Sequence, residues 1–103
     1  MTLSNASKKQ LRAIGHTLKP IVSIAQKGLT ENIKIEIDRA LRDHELIKIK
    51  LLAADREEKQ ALENAICTEF KAECVQSIGH ITLLYRRSKK PDPRLSNVKK
   101  KPD

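Results

Sequence analysis

One stretch of the sequence limits the possible folds more than any other, because a short apolar run turns through a lysine and a glycine into a helix start. The run Ile21–Ile24 has the length and composition of a strand, and Thr30 followed by Glu31 is typical of the beginning of a helix. A strand that passes into a helix this quickly directs free backbone N–H groups, the positive end of the helix dipole and Lys27 at one small volume. That volume suits a phosphate. An ordinary tight connection, in which Gly28 only turns the chain, explains the same residues equally well.

Helical and strand patterns alternate along the 103 residues, which are enough for one domain. The periodicity predicts helices at about residues 5–15, 31–43 and 56–71, and strands at residues 21–24, 46–51, 74–78 and 81–85. The candidate N-caps of the helices are Ser4 or Ser7, Thr30, and Asp55 with Glu58 as a capping box. Gly15 suits the stop of the first helix, and Gly79-His80 has the composition of a type II′ hairpin turn.

This order of elements defines the fold class. Two strand–helix–strand crossovers followed by an antiparallel hairpin require a mixed sheet. The sequence therefore predicts an α+β fold, a compact layered domain with a four-stranded mixed sheet and the element order α-β-α-β-α-β-β. It leaves open the order of the strands and the face that the first helix covers.

The net charge of +8 is concentrated at the two ends of the chain. Residues 1–30 carry five basic and no acidic side chains, and residues 86–103 carry eight basic and two acidic ones. Such segregation favours a polyanionic partner. From residue 88 onward, prolines and charges surround Leu95 and Val98 as the only sizeable apolar residues, which predicts a folded domain over residues 1–87 and a basic flexible tail over residues 88–103.

The sequence gives no sign of a membrane segment or of an oxidising compartment. It has no apolar run of about 18 residues and no apolar core of a secretory signal, so we expect a cytoplasmic protein without a membrane partner. Cys67 and Cys74 match neither a zinc pattern nor a redox C-x-x-C motif, and are expected to be reduced, packed thiols.

Catalysis requires a concentrated group of reactive side chains, which the sequence does not indicate. His16, His44 and His80 lie at element ends or turns, and no glycine-rich loop of the P-loop type is present. We therefore expect a binding protein and not an enzyme, with no catalytic or metal-binding residues, no cofactor and no small-molecule substrate.

The composition also limits how such a protein recognises nucleic acid. Phe70 and Tyr85 are the only aromatic residues, and Phe70 belongs to a core stripe, so successive bases have no stacking platform. The alternation Leu46–Leu51 places Lys48 and Lys50 together on a solvated face of the sheet. What remains is recognition of the phosphate backbone by basic side chains and a helix N-terminus, as in the G-x-x-G loop of KH domains.

Four stretches together resemble the CRM (chloroplast RNA splicing and ribosome maturation) domain in its single-domain bacterial YhbY-like form. They are Leu18–Val22, Ala25–Glu31, His44–Lys50 and Ile78–Arg86, and the resemblance covers residues 3–87 in order and register. It implies an RNA-binding domain that acts on precursors of the large ribosomal subunit in bacteria, with a fold similar to the C-terminal domain of translation initiation factor three.

The corner and the basic residues supply the candidate RNA-binding set. Its members are Lys19, Ala25, Gln26, Lys27, Gly28, Lys48, Lys50, Arg86 and Arg87. The family's loop is G-x-x-G, and this chain has Ala25 in place of the first glycine while Gly28 keeps the second. If the loop requires a positive φ at residue 25, alanine costs about 1 kcal/mol or more in strain.

The function expected from these observations is recognition of structured ribosomal RNA through phosphate contacts, by a monomer that acts in large-subunit assembly. The alternative is a protein-interaction factor that docks on an acidic or ribosomal protein surface through the same basic ends without reading RNA. A small DNA-binding protein is a third possibility, but the sequence has neither a helix-turn-helix pattern nor a dimerisation seam.

Overall fold

The computed structural model describes residues 3–25 and 28–98 and has the predicted order of elements. The elements are α1 Asn5–Gly15, β1 Pro20–Ile24, α2 Glu31–His44, β2 Leu46–Leu51, α3 Arg56–Phe70, β3 Glu73–Ile78 and β4 Ile81–Tyr85. Each boundary agrees with the sequence prediction to within one residue. The α+β fold with a four-stranded mixed sheet is confirmed.

The strand order in the sheet is β1-β2-β4-β3. β1 and β2 pair in parallel, while β4 is antiparallel to both β2 and β3. The hairpin thus inserts β4 between β2 and β3, so the second crossover joins near neighbours. Of the two hairpin-turn residues only Gly79 has a positive φ, of 57°, in agreement with the predicted II′ turn.

Side-chain caps begin all three helices. In each case the cap oxygen accepts a hydrogen bond from the backbone N–H three residues later: Ser4 from Ser7 (3.1 Å), Thr30 from Ile33 (3.3 Å) and Asp55 from Glu58 (2.8 Å). Ser4 is therefore the cap of α1. These caps satisfy backbone donors that the first turn of a helix leaves without a partner.

Helices cover both faces of the sheet, which makes three layers. α2 and α3 pack on one face through a core that includes Ile37, Leu41, Ile49, Ile66 and Phe70. α1 packs on the other face, in a second core formed by Leu11, Leu46, Val75, Leu83, Tyr85 and Val98. The alternation in β2 sends Ile47, Ile49 and Leu51 to the first core and leaves the side of Leu46, Lys48 and Lys50 facing α1.

Gly15 has a different role from the predicted helix stop. It is the last residue of α1 and has no positive φ, so it is not a left-handed C′ glycine. A Cβ at this position would lie 2.7 Å from Cδ2 of the buried Leu83. Gly15 therefore lets α1 approach β4 closely, a contact between elements that local spacing does not reveal.

The C-terminal segment, defined here as residues 88–98, packs against the domain. Val98 is only 1% exposed and belongs to the core under α1. Two donors of the segment bind the buried carboxylate of Glu45: Ser88 N–H at 2.8 Å and Ser96 Oγ at 2.7 Å. This packing differs from the expected flexible tail. Ser88 and Ser96 bind Glu45, and Val98 packs in the second core, but these partners are distant in the sequence, so composition does not reveal them. Residues 99–103 lie outside the described part.

Cys67 and Cys74 are free and half-buried. Burial, reinforced by the nearby charge of Glu63, raises the pKa of the Cys74 thiol to about 11. Burial also raises the pKa of Cys67. Both side chains are therefore poor thiolates at neutral pH. Within the described residues, no helix combines the length and apolar character needed to cross a membrane.

Candidate nucleic-acid interface

Among the described residues of the corner between β1 and α2, Gly28 forms a backbone hydrogen bond and adopts a left-handed conformation. Gly28 N–H donates to the carbonyl of Ala25 at 2.9 Å, and Gly28 has a φ of 77°. Two residues later Thr30 caps α2. A Cβ added at Gly28 would meet nothing within 4 Å, so the glycine is needed for its backbone conformation and leaves the corner open.

Two candidate residues of the corner, Gln26 and Lys27, lie outside the described residues. Ala25 is exposed and has no positive φ. Ala25 therefore occupies the position of the family loop's first glycine without the backbone strain that a positive φ would cause. The left-handed conformation falls on Gly28, where glycine is retained.

Lys50 lies beside the corner on the α1 side of the sheet. It pairs with Ser23 of β1 and Ile81 of β4. The hydrogen bonding between β1 and β2 continues past this pair, since Leu52 N–H donates to the carbonyl of Ile24 at 2.9 Å. Ser23 and Lys50 are exposed, since the contacts of α1 lie toward the Leu46 end of the sheet. The solvated lysine face predicted from the alternation is therefore present.

Lys48 continues this surface toward the start of β1, where Lys19 also lies. Both lysines line one small cleft of about 240 Å³, together with Asn97 of the C-terminal segment. Lys19 is exposed and Lys48 is half-buried. We call Lys19, Lys48 and Lys50 the lysine strip, which runs alongside β1 over about 13 Å, the length of four strand steps.

The lysine strip carries uncompensated charge. Among the ion pairs of residues 3–25 and 28–98, none involves Lys19, Lys48 or Lys50. The described residues that line the cleft include no aspartate or glutamate. A basic surface without nearby carboxylates attracts polyanions, and its attraction decreases as salt rises.

Arg86 is not brought together with the lysine strip. Its Nη1 lies 2.9 Å from Oδ1 of Asp38, and its guanidinium also donates to the backbone carbonyls of Asp38 and Phe70. These partners belong to α2 and α3, which pack on the opposite face of the sheet. Arg86 therefore ties the helix layer to the end of β4. No local sequence signal identifies Asp38 as its partner, because 48 residues separate the two.

Arg87 is exposed and forms no ion pair with another described residue. Burial raises the pKa of Tyr85, and the positive charge of Arg87 acts in the opposite direction. Arg87 therefore presents a charge on the side where the C-terminal segment begins.

Two features of the surface were missed by the sequence interpretation. Asn97, in the wall of the Lys19 cleft, belongs to a stretch that was assigned to a tail. Ile35 is 62% exposed on the outer face of α2, in a shallow cleft that Arg39 and Arg42 also line. Only the position of Ile35 outside the apolar stripe of its helix gives a hint of this surface.

Sequence comparisons place the chain among characterised families. Residues 3–86 match the CRS1 / YhbY (CRM) domain. The chain is 47% identical over 98 residues to the Probable RNA-binding protein PA4753 of Pseudomonas aeruginosa, covering 95% of this chain and 94% of that protein. It is 52% identical over 87 residues to a protein named RNA-binding protein from Haemophilus influenzae, with coverages of 84% and 88%.

The fold is also similar to a solved structure. The hypothetical protein SAV1595 from Staphylococcus aureus, determined in solution, superposes with a TM-score of 0.76 and 34% sequence identity, covering 86% of this chain and 93% of that one. The matched residues include the corner at Gly28 and every member of the lysine strip. The chain therefore belongs to the CRS1 / YhbY (CRM) domain family.

Proposed function

We propose that this protein binds structured RNA through its phosphates, and that its target is ribosomal RNA in precursors of the large ribosomal subunit. It does so in the cytoplasm, as a monomer, without a cofactor and without catalysing a reaction. The relatives' names support RNA as the ligand, and the resemblance to YhbY-like proteins supports the ribosomal target.

One observation carries the proposal: a line of lysines that have no carboxylate partner among residues 3–25 and 28–98 continues from the glycine corner. Lys50 lies beside the corner, and Lys48 and Lys19 extend the line along β1. The open corner and the start of α2 provide backbone donors and a helix dipole at one end of this line. Such a surface follows the path of a phosphate backbone.

The same surface is unsuited to reading bases. Phe70 and Tyr85 are 8% and 6% exposed, so neither aromatic ring is available for stacking. Recognition by phosphate contacts carries no direct sequence information, so the isolated protein should bind many structured RNAs with modest preference. Selectivity then comes from a folded RNA whose phosphates match the corner and the lysine strip at once.

Crosslinking in cells, followed by sequencing of the bound RNA, tests the target. We expect enrichment of large-subunit ribosomal RNA, and sedimentation of the crosslinked protein with immature large subunits. A variant with Lys19, Lys48 and Lys50 all changed to Gln should lose both signals. Reads spread over messenger RNA without ribosomal enrichment would contradict the assembly role. Retained sedimentation of the triple variant would favour docking on a protein surface.

A further inference from the structure

The Lys19 cleft lies at the far end of β1 from the glycine corner and is lined by residues from five parts of the chain. The turn after α1 contributes Lys19, β1 contributes Ile21, the end of α2 contributes His44, β2 contributes Lys48, and the C-terminal segment contributes Asn97. About 13 Å of strand separates this cleft from the corner. One phosphate group cannot occupy both places, so the cleft is a separate point of contact.

The chemistry of the cleft favours an anion. Lys19, Lys48, His44 and Asn97 are among its polar lining residues, and none of the described residues that line it is an aspartate or a glutamate. Neither lysine has an ion-pair partner among the described residues, and an entering phosphate would supply one through charge-assisted hydrogen bonds. The proposed function provides the source of that phosphate, a backbone that already contacts the corner.

Hydrogen bonds from both its backbone and its side chain hold Asn97 at the edge of the cleft. Its backbone N–H donates to the carbonyl of His44 at 2.9 Å, and its Nδ2 donates to the carbonyl of Leu46 at 2.7 Å. The ring Nδ1 of His44 lies 2.7 Å from the carbonyl of Leu95. These bonds fix the segment along the junction between α2 and β2.

Glu45 is the centre of this junction. Its side chain is fully buried and binds Ser88 and Ser96, and its backbone has a φ of 63°. A buried carboxylate and a positive φ at a non-glycine residue are both unfavourable unless their surroundings fix them. Here the bound segment supplies the donors. Glu45 binds Ser96, the residue before Asn97. The position of Asn97 in the cleft therefore depends on Glu45, although Glu45 does not line the cleft.

We propose that the C-terminal segment is a structural part of the RNA site. Docked on Glu45, it holds Asn97 in the wall of a cleft where Lys19 and Lys48 bind a second phosphate of the RNA that contacts the corner. Glu45 and Ser96 are positioning residues, and Asn97 is a wall residue. This inference rests on the proposed function and assigns the segment a role in binding.

A matched pair of substitutions tests the cleft. Asn97→Asp introduces a carboxylate into the wall, whereas Asn64→Asp makes the same charge change on an exposed position of α3. The probe is a single-stranded oligonucleotide long enough to span β1, titrated at low salt. We expect Asn97→Asp to weaken binding about fivefold more than Asn64→Asp, the effect of one like charge near 4 Å in water. Equal effects would overturn the proposal.

A second comparison covers the case in which Asn97→Asp loosens the segment. Lys48→Gln and Lys71→Gln each remove one positive charge, in the cleft and at the end of α3, and neither lysine takes part in the hydrogen bonds that hold the segment to His44, Glu45 and Leu46. If Lys48 and Asn97 act on one phosphate, the effects of Lys48→Gln and Asn97→Asp on affinity are smaller together than the product of the two alone. Independent effects would contradict a shared site.

Hydrogen exchange measures the docking itself. The amides of Ser88 and Asn97 are donors in the docked segment and should exchange slowly in the free protein. Bound oligonucleotide should slow the exchange of the Asn97 amide further, and unchanged exchange on binding would count against the cleft.

Wild-type protein that binds no RNA would overturn the proposed function. Wild-type binding with equal effects of Asn97→Asp and Asn64→Asp would overturn only this inference.

Discussion

Ser96 Oγ donates a hydrogen bond of 2.7 Å to the buried carboxylate of Glu45, 51 residues earlier in the chain. This bond joins the end of the described chain to the junction between α2 and β2. With the Ser88 amide, it gives a fully buried acid two hydrogen-bond donors. The stability of the domain should therefore depend on residues that composition alone assigns to a tail.

Truncation after Arg87 tests this dependence. The sequence alone predicts that the melting temperature changes by only a few degrees. The structure predicts instead that loss of Val98 burial and of the bonds to Glu45 removes about 3 kcal/mol, which lowers the Tm by more than about 10 °C. A chain that ends at Val98 is the control and should melt like the full chain. Equal melting of the two truncated chains would contradict the packing described.

Two neighbouring arginines should respond differently to the same substitution. Arg86→Gln removes the ion pair with Asp38 and should reduce stability by about 1–2 kcal/mol, with little effect on RNA affinity. Arg87→Gln should leave the Tm unchanged and weaken RNA binding modestly, because Arg87 is exposed. Thermal melting and filter binding of the two variants distinguish the roles. The opposite pattern would restore Arg86 to the RNA site.

The Cys74 thiol should be slow to react. Its pKa is raised from 9.0 to about 11, first by burial and then by Glu63, so the thiolate fraction at pH 8 is roughly a hundredfold below that of an ordinary cysteine. Alkylation followed by mass spectrometry should show this delay in the native protein and not in urea. Rapid native alkylation at pH 8 would contradict the burial.

The same shift predicts a pH dependence of stability. The raised pKa means that the folded state retains the proton, so this contribution is complete below pH 9 and is lost as the pH rises toward 11. The contribution of the Cys74 thiol is obtained by comparing the urea-unfolding free energies of the wild type and the Cys74→Ala variant at pH 8 and at pH 10.5. The difference in unfolding free energy between the two proteins should shrink at the higher pH.

Lys27 remains a prediction from the sequence, because it lies outside the described residues. Its place beside Gly28 at the start of α2 favours a phosphate contact. Lys27→Gln should lower the salt slope of binding to single-stranded RNA by about 0.7, with no change in Tm. Lys71→Gln provides the matched control. An unchanged slope would remove Lys27 from the interface.

Local signals predicted the elements, but not the contacts between distant residues. Thr30 and Asp55 cap helices where their sequence context indicated, and the alternation around Lys48 and Lys50 identified the exposed face of β2. These features depend on neighbours within four residues. The insertion of β4 beside β2 depends on pairings such as Lys50 with Ile81, for which a single sequence carries no register signal.

The differences at the candidate site have the same origin. The sequence places Arg86 in the RNA-binding set on its charge alone, whereas its ion-pair partner Asp38 is not adjacent to it in the sequence. Asn97 was missed because prolines and lysines surround it, and composition predicts disorder for such a stretch. Its contacts with His44 and Leu46 become evident only when the chain is folded.

The measurement that tests the account most directly is the salt dependence of RNA affinity for the wild type and for the variant in which Lys19, Lys48 and Lys50 are all Gln. Three lost phosphate contacts should reduce the slope of log affinity against log salt by about 2 on single-stranded RNA, while the Tm stays within a few degrees. A triple variant in which Lys9, Arg56 and Lys71 are all Gln is the charge-matched control and should keep most of the wild-type slope, because these exposed residues lie outside both the lysine strip and the C-terminal segment. If the two triple variants lose the same slope, the lysine strip is not the RNA-binding surface.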